Sequence, residues 1–377
     1  MKLKDVISTA DMERCGERTL PVLSMTMHDG IVLQADRFKK AIASKDLSSY
    51  KVVRRNQLVV SFPIDEGVLY IQDLVDAGIV SPAYAIWDIH ANMVYPGYLG
   101  MFLRSPRSIQ YYKSKLRGST ARRRTIPRED FLCMELPEVS IAEQRKICVT
   151  LEKIKIVIGE CEQQINRLGE IVKSRFVEMF GDGQYPEQPL YKLSEITGGL
   201  TKNGKRKSMP LKYKYLRVAN VFYNRLDLSD VQEIGVEEAE IPKSLLKKKD
   251  LLFVEGNGSI EQVGRVALWN GEINPCLHQN HLIKVRFNSG VAPEYVLFYF
   301  MSEAGRHQIK ESAVSTTGLH TLSTGKVANL RLPLPPLVLQ REFAAFVAKV
   351  DKLAFAARRR RDVARQLYRA KIQEFFG

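Results

Sequence analysis

The chain has 377 residues, 45% hydrophobic and 26% charged, with 57 basic against 42 acidic side chains and a formal net charge of +15. That length exceeds one ordinary domain, the composition excludes a disordered chain, and the positive excess points to a polyanionic partner. No apolar run approaches the roughly 20 residues that span a bilayer, and Met1-Lys2-Leu3-Lys4-Asp5 meets an acidic residue too early for a secretory signal.

Residues 1–135 read as a first block with a net charge of +5. Within it, the basic turn Arg54-Arg55-Asn56-Gln57 runs into a buried strand, and 106–116 reads as a short helix. Gly118-Ser119-Thr120 signals a loop just before Arg122, Arg123 and Arg124. Three arginines in a row are ordinarily a solvated face; beside this loop signal they are read as a DNA contact. Trp87, and Trp269 further on, fall in strand-like runs and are expected in the core.

Residues 136–181 read as a long helix. The apolar positions Ile147, Leu151, Ile154, Ile158, Cys161, Ile165, Leu168 and Val172 step by alternating fours and threes, the heptad of a coiled-coil seam. Ser140 with Glu143 three residues on predicts a capping box, and Gly181 stands where a helix end favours a left-handed residue. At 1.5 Å per residue the stretch from Ala142 to Phe180 spans roughly 58 Å.

Residues 182–331 form a second block with a net charge of +4. Short β-rich runs at 213–221, 250–254, 264–269 and 281–287 alternate with Gly and Asn turns, and 293–303 reads as a helix. Gly199 to Arg206 nearly spells a P-loop, but Arg206 stands where that motif needs a Ser or Thr for Mg²⁺. A basic loop on DNA phosphates is the better reading, with Lys202, Asn203, Lys205, Arg206 and Lys207 in it and Arg217 nearby. Cys276, His278 and His281 lack a fourth partner at metal spacing, so no zinc site is expected. Gln279 and Asn280 carry the amides that can bond adenine bidentately; the bland alternative is a satisfied turn entering a strand.

Residues 332–377 repeat residues 136–181 at a constant offset of 196, without a gap: Leu136-Pro137 falls on Leu332-Pro333, Gln144-Arg145 on Gln340-Arg341, and Phe180-Gly181 on Phe376-Gly377. The copy keeps the seam phase with Phe343, Val347, Val350, Ala354, Ala357, Ala364 and Tyr368. Arg361 alone breaks it, a place where a polar residue fixes register. Leu151, Ile154, Ile158 and Leu168 are expected to face Val347, Val350 and Ala354. The second helix carries a net +6 against zero for the first. If each block's ends lie close together, the helices run antiparallel with an internal pseudo-two-fold. The fold class is therefore α/β (α+β): two similar mixed α/β domains separated by an antiparallel pair of long coiled-coil helices.

This arrangement resembles the specificity subunit of type I restriction–modification systems. The resemblance rests on the Leu-Pro and Gln-Arg stretches, on the closing Lys173-Ser174-Arg175-Phe176-Val177-Glu178-Met179-Phe180-Gly181, and on the order block, helix, block, helix. Within the blocks, Tyr50-Lys51-Val52-Val53, Val80 to Tyr84, Asp250-Leu251-Leu252-Phe253, Gln279-Asn280 and Thr317-Gly318 are of that kind. The family pattern has Glu before Gln-Arg in both helices; here the second has Leu339. The resemblance implies that each block is a target recognition domain reading half of a split double-stranded DNA site, with Thr317 among the contacts. It implies that the helices act as a spacer and as a dock for two methyltransferase subunits, with restriction and translocase subunits also assembling. S-adenosylmethionine, ATP and Mg²⁺ are then expected only on those partners, with no cofactor or metal in this chain and no membrane association.

The scattered Cys15, Cys133, Cys148, Cys161 and Cys276 agree with a cytoplasmic setting of reduced thiols. There is no Asn/Asp-Pro-Pro-aromatic motif, no glycine-rich strand–helix turn for a methyl donor, no complete Walker motif and no carboxylate–Lys nuclease cluster. The chain is read as one that aims while its partners catalyse. Two other classes compete: a diverged nuclease or methyltransferase, and a stand-alone DNA-binding or scaffold protein sharing the helix pair.

Overall fold

The computed structural model describes residues 1–27, 29–37, 46–116, 126–316 and 318–377. They form two compact units, Met1–Glu162 with Arg358–Gly377, and Gln163–Ala357. The units divide each long helix rather than stopping at its ends, so both helices contribute to both units.

The first unit is built on a four-stranded antiparallel sheet in the order Ile7–Thr9, Ala85–Ile89, Leu58–Val60, Leu69–Ile71. Alternation along a strand sends successive side chains to opposite faces. Leu58 accordingly joins a core with the helix Pro96–Leu103, while Val59 joins another with Leu23, Ile31 and Val53. Ser105 caps the next helix, Pro106–Lys115, by accepting the Ser108 N–H. Trp87 is buried among the first of these cores.

In the second unit the same order recurs with Ser194–Gly198, Leu282–Phe287, Leu251–Val254 and Val266–Leu268. Leu251 and Phe253 face one core, Leu252 and Val254 the other, which explains the unbroken apolar run. Pro293–Met301 and Glu303–Ser312 follow, the latter capped by Ser302. A second sheet sets Gln232–Gly235, Lys212–Leu216 and Cys276–His278 side by side. Trp269 is fully buried. The 213–221 run is not one strand: it ends at Leu216 and turns through the 3-10 segment Val218–Asn220.

The ends of each block meet. Leu3 N–H donates to Met134 O at 2.8 Å, and Leu190 N–H to Leu330 O at 2.9 Å. Leu332, read above as opening the helix, instead pairs with Gln188 in the strand Arg331–Pro333, and the helix proper is Leu337–Phe376. Leu136 likewise precedes its helix, Ile141–Phe180, and its N–H bonds Met1 O.

The helices pair antiparallel within each unit. Ile147, Cys148 and Leu151 share a core with Ile372 and Phe376, whose ring lies 5.2 Å from Tyr98. At the other end Val172, Phe176 and Phe180 share one with Phe343, Val347 and Val350, and Leu168 packs against it. This corrects the partner expected for Leu151: antiparallel pairing sets the start of one helix against the end of the other. Cys161, Ala354, Ala357 and Ala364 are buried, whereas Ile154, Ile158, Ile165 and Tyr368 are half-buried.

Arg361, expected to fix register across the seam, is half-buried and pairs with Asp362 of its own helix at 2.8 Å. Of the capping box one arm forms: Ser140 Oγ accepts the Glu143 N–H at 3.3 Å, while the Glu143 carboxylate pairs with Lys146. Gly181 is not left-handed; it continues the helical bonding by donating to Val177 O, and a Cβ there would lie 2.6 Å from that oxygen.

Candidate nucleic-acid interface

Three segments of the second unit converge through backbone bonds. Leu200 N–H donates to His278 O, Gln279 N–H to Leu216 O at 2.9 Å, and Asn280 N–H to Leu200 O at 3.0 Å. Gln279 and Asn280 therefore lie beside Leu200 and Leu216, with Arg217 next along one segment and Lys202 two residues along the other. The approach demands glycine at 199, where a Cβ would stand 2.0 Å from His278 O.

Beneath them, basic side chains cap the carbonyls that end the short helix Ile241–Ser244. Lys284 Nζ donates to Lys243 O at 2.7 Å, His278 Nδ1 to Ser244 O at 2.8 Å, and Arg286 to Leu245 O at 3.0 Å. Arg286 also grips buried Asp250 with two bonds of 2.7 and 2.8 Å. Burial pushes the His278 imidazole down to about 4, so it is neutral near pH 7.

The basic loop divides into one buried and several exposed cations. Gly204–Ser208 is a 3-10 turn capped by Asn203, whose Oδ1 accepts the Arg206 N–H. No α-helix follows, so the strand–loop–helix of a P-loop is not formed. Arg206, read from the sequence as a phosphate contact, is 8% exposed and its guanidinium is engaged within the chain. Its two terminal nitrogens bond Glu240 at 2.7 and 2.8 Å, and it also donates to Thr201 O and Gly235 O. Those bonds, then the Glu237 N–H, hold the Glu240 carboxyl down to about 2. Lys202, Lys205 and Lys207 are exposed and make no ion pair among the described residues. Arg217 is half-buried and pairs with Asp230 at 2.7 Å.

Gln279 and Asn280 are half-buried, and among the described residues their side-chain amides bond nothing within the chain. Their backbones are those of a satisfied turn, the bland alternative for this dipeptide, while the amide heads are left over. Cys276 is in a core and His281 pairs with Glu255 at 2.6 Å, so the would-be zinc ligands serve separate purposes. Arg122, Arg123, Arg124 and Thr317 lie outside the described residues. Sequence reasoning missed Glu240 and Asp230, which lie 34 and 13 residues from their arginines with no spacing signal, and the twin roles of Gln144 and Gln340, which the repeat did mark.

Comparison with known proteins bears on the whole chain. Residues 189–363 match the sequence profile of the type I restriction modification DNA specificity domain. The Escherichia coli type I restriction enzyme EcoKI specificity subunit is 24% identical over 288 residues, covering 70% of this chain and 59% of that protein. A putative type I restriction enzyme MjaX specificity subunit of Methanocaldococcus jannaschii is 24% identical over 186 residues, 49% of this chain and 43% of the relative. The chain thus spans less than two thirds of the length of these relatives. Among solved structures, the type I restriction–modification S subunit from M. genitalium is similar over 100% of this chain and 95% of its own, with a TM-score of 0.62 at 13% identity. A chain from a type I R-M system, solved to explain complex assembly and conformational transition, has a TM-score of 0.56 at 14% identity, covering 100% of this chain and 96% of its own.

Proposed function

We propose, for a chain that belongs to the type I restriction–modification specificity family, that it reads a split double-stranded DNA target and directs methyltransferase and restriction subunits to it. The observation that carries this is the recurrence of one sheet order in both blocks, each followed by a copy of the same long helix. Two similar readers on one spacer suit two short sites at fixed separation. In the second block, Lys202, Lys205 and Lys207, all exposed, supply phosphate contacts. Gln279 and Asn280, with fixed backbones and free amides, supply base contacts.

In this reading the chain itself does no chemistry; S-adenosylmethionine, ATP and Mg²⁺ act on partner subunits, two of them methyltransferases, in the cytoplasm. Among the described residues no helix is long and apolar enough to cross a membrane. Long-read mapping of methylated adenines in cells with and without the chain tests the proposal. One bipartite sequence is expected to lose methylation when the chain is deleted; an unchanged methylation map overturns it.

A further inference from the structure

We infer that Gln144 and Gln340 are positioning residues: each fixes the angle between its block and its long helix, and so the spacer length the protein accepts between half-sites. This rests on the reading of the chain as a bipartite DNA reader. The two stand 196 residues apart at matching points of the repeat and are enclosed, at 0% and 1% exposure. Each amide uses both ends. Gln144 Oε1 accepts the Tyr95 N–H at 2.7 Å while Nε2 donates to Val139 O at 2.8 Å. Gln340 Oε1 accepts the Ala292 N–H at 3.0 Å while Nε2 donates to Pro335 O at 2.8 Å.

Tyr95 and Ala292 are the N-cap residues of Pro96–Leu103 and Pro293–Met301, the first helix after each sheet. A side chain of the long helix thus satisfies a backbone donor of the block at the same point in both units. Simultaneous donor and acceptor function needs an amide; a carboxylate has no donor and an ammonium no acceptor. Much of the remaining junction is apolar, such as Phe376 on Tyr98 and Phe180 on Tyr295. Apolar contact is non-directional, whereas a hydrogen bond weakens steeply off its axis. The glutamine is therefore the directional part of the joint. A tilt of about 5° carried along a helix of roughly 60 Å moves its far end by about 5 Å, more than the roughly 3.4 Å rise of one base pair.

Two measurements test this. In the first, the full chain with its methyltransferase subunits selects duplexes from a random-sequence library. Gln144→Met and Gln340→Met are expected to keep both half-site sequences but lose at least tenfold of the preference for the wild-type spacer over one longer or shorter by a base pair. In the second, nitroxide labels at Glu238→Cys and Lys352→Cys, in a Cys133→Ser background, report block against helix without DNA. Their distance distribution is expected to broaden in Gln340→Met. Gln340→Glu, which keeps an acceptor and loses the donor, is expected to fall between and guards against a Met variant that does not fold. Unchanged spacer preference, an unchanged distance distribution, or altered bases in a half-site would each overturn the assignment. A wild-type chain that selects no split site would sink the DNA reading instead, and the label distances would still decide whether the glutamine sets the angle.

Discussion

Glu240 holds both guanidinium arms of Arg206 in hydrogen bonds, although the sequence sets Arg206 between two lysines that remain exposed. Removing the rivet and removing the exposed charges should therefore fail differently. Arg206→Ala is expected to cost about 1–3 kcal/mol of stability, by orphaning Gly235 O and Thr201 O; a melting temperature equal to wild type would contradict the pairing. Lys205→Ala with Lys207→Ala should leave melting unchanged. It should also lower the salt slope of DNA binding by about 0.9 per lost phosphate contact, and an unaltered slope would show that these lysines touch no phosphate. The pH dependence follows from the shifted groups. Glu240, held down to about 2, contributes stability present above the ordinary glutamate value, about 4, and lost as pH falls towards 2. A melting series should show the gap between wild type and Glu240→Gln closing over that window. His278 acts earlier: because its folded value is about 4, the unfolded chain takes up the proton first. Stability is then lost as pH falls from about 6.5 towards 4.

Among the elements, the long helices owe their place to their ends more than to their middles. Leu151 has no exposed surface and lies in a core with Ile372 and Phe376, whereas Ile154 is half-buried. Leu151→Asp should cost on the order of 3–5 kcal/mol, because its charge would be buried without a partner, and lower the melting temperature accordingly. The same change at Ile154 should cost less, since water reaches that position. Equal effects at the two sites would mean that the seam is uniformly packed, against the burial seen here. The heptad period was visible in the sequence because it depends only on the spacing of apolar residues along one chain. Which turn faces which was not, since it depends on where the block between the helices returns the chain.

For the whole molecule, the two blocks share a sheet order while differing in their smaller sheets, including the parallel pair Lys212–Leu216 with Cys276–His278 in the second. Modular reading predicts that exchanging residues 182–331 for the corresponding block of a relative changes one half of the methylated target and leaves the other. A map in which both halves change would contradict it. The repeat, the existence of the two long helices, the strand runs at 250–254 and 281–287 to within a residue, and the burial of both tryptophans were determined by the sequence alone, through periodicity, turn residues and apolar runs that act locally. The candidate interface was legible only as a list of basic and amide residues. That Arg206 is locked inside while Lys205 and Lys207 point out depends on Glu240, which the chain brings back from 34 residues away. That Gln144 and Gln340 clasp Tyr95 and Ala292 depends on a block folding against the helix that follows it. Local spacing cannot encode such pairings, because hydrogen bonds and buried charge pairs are satisfied in space rather than along the chain; only the tertiary structure decided them.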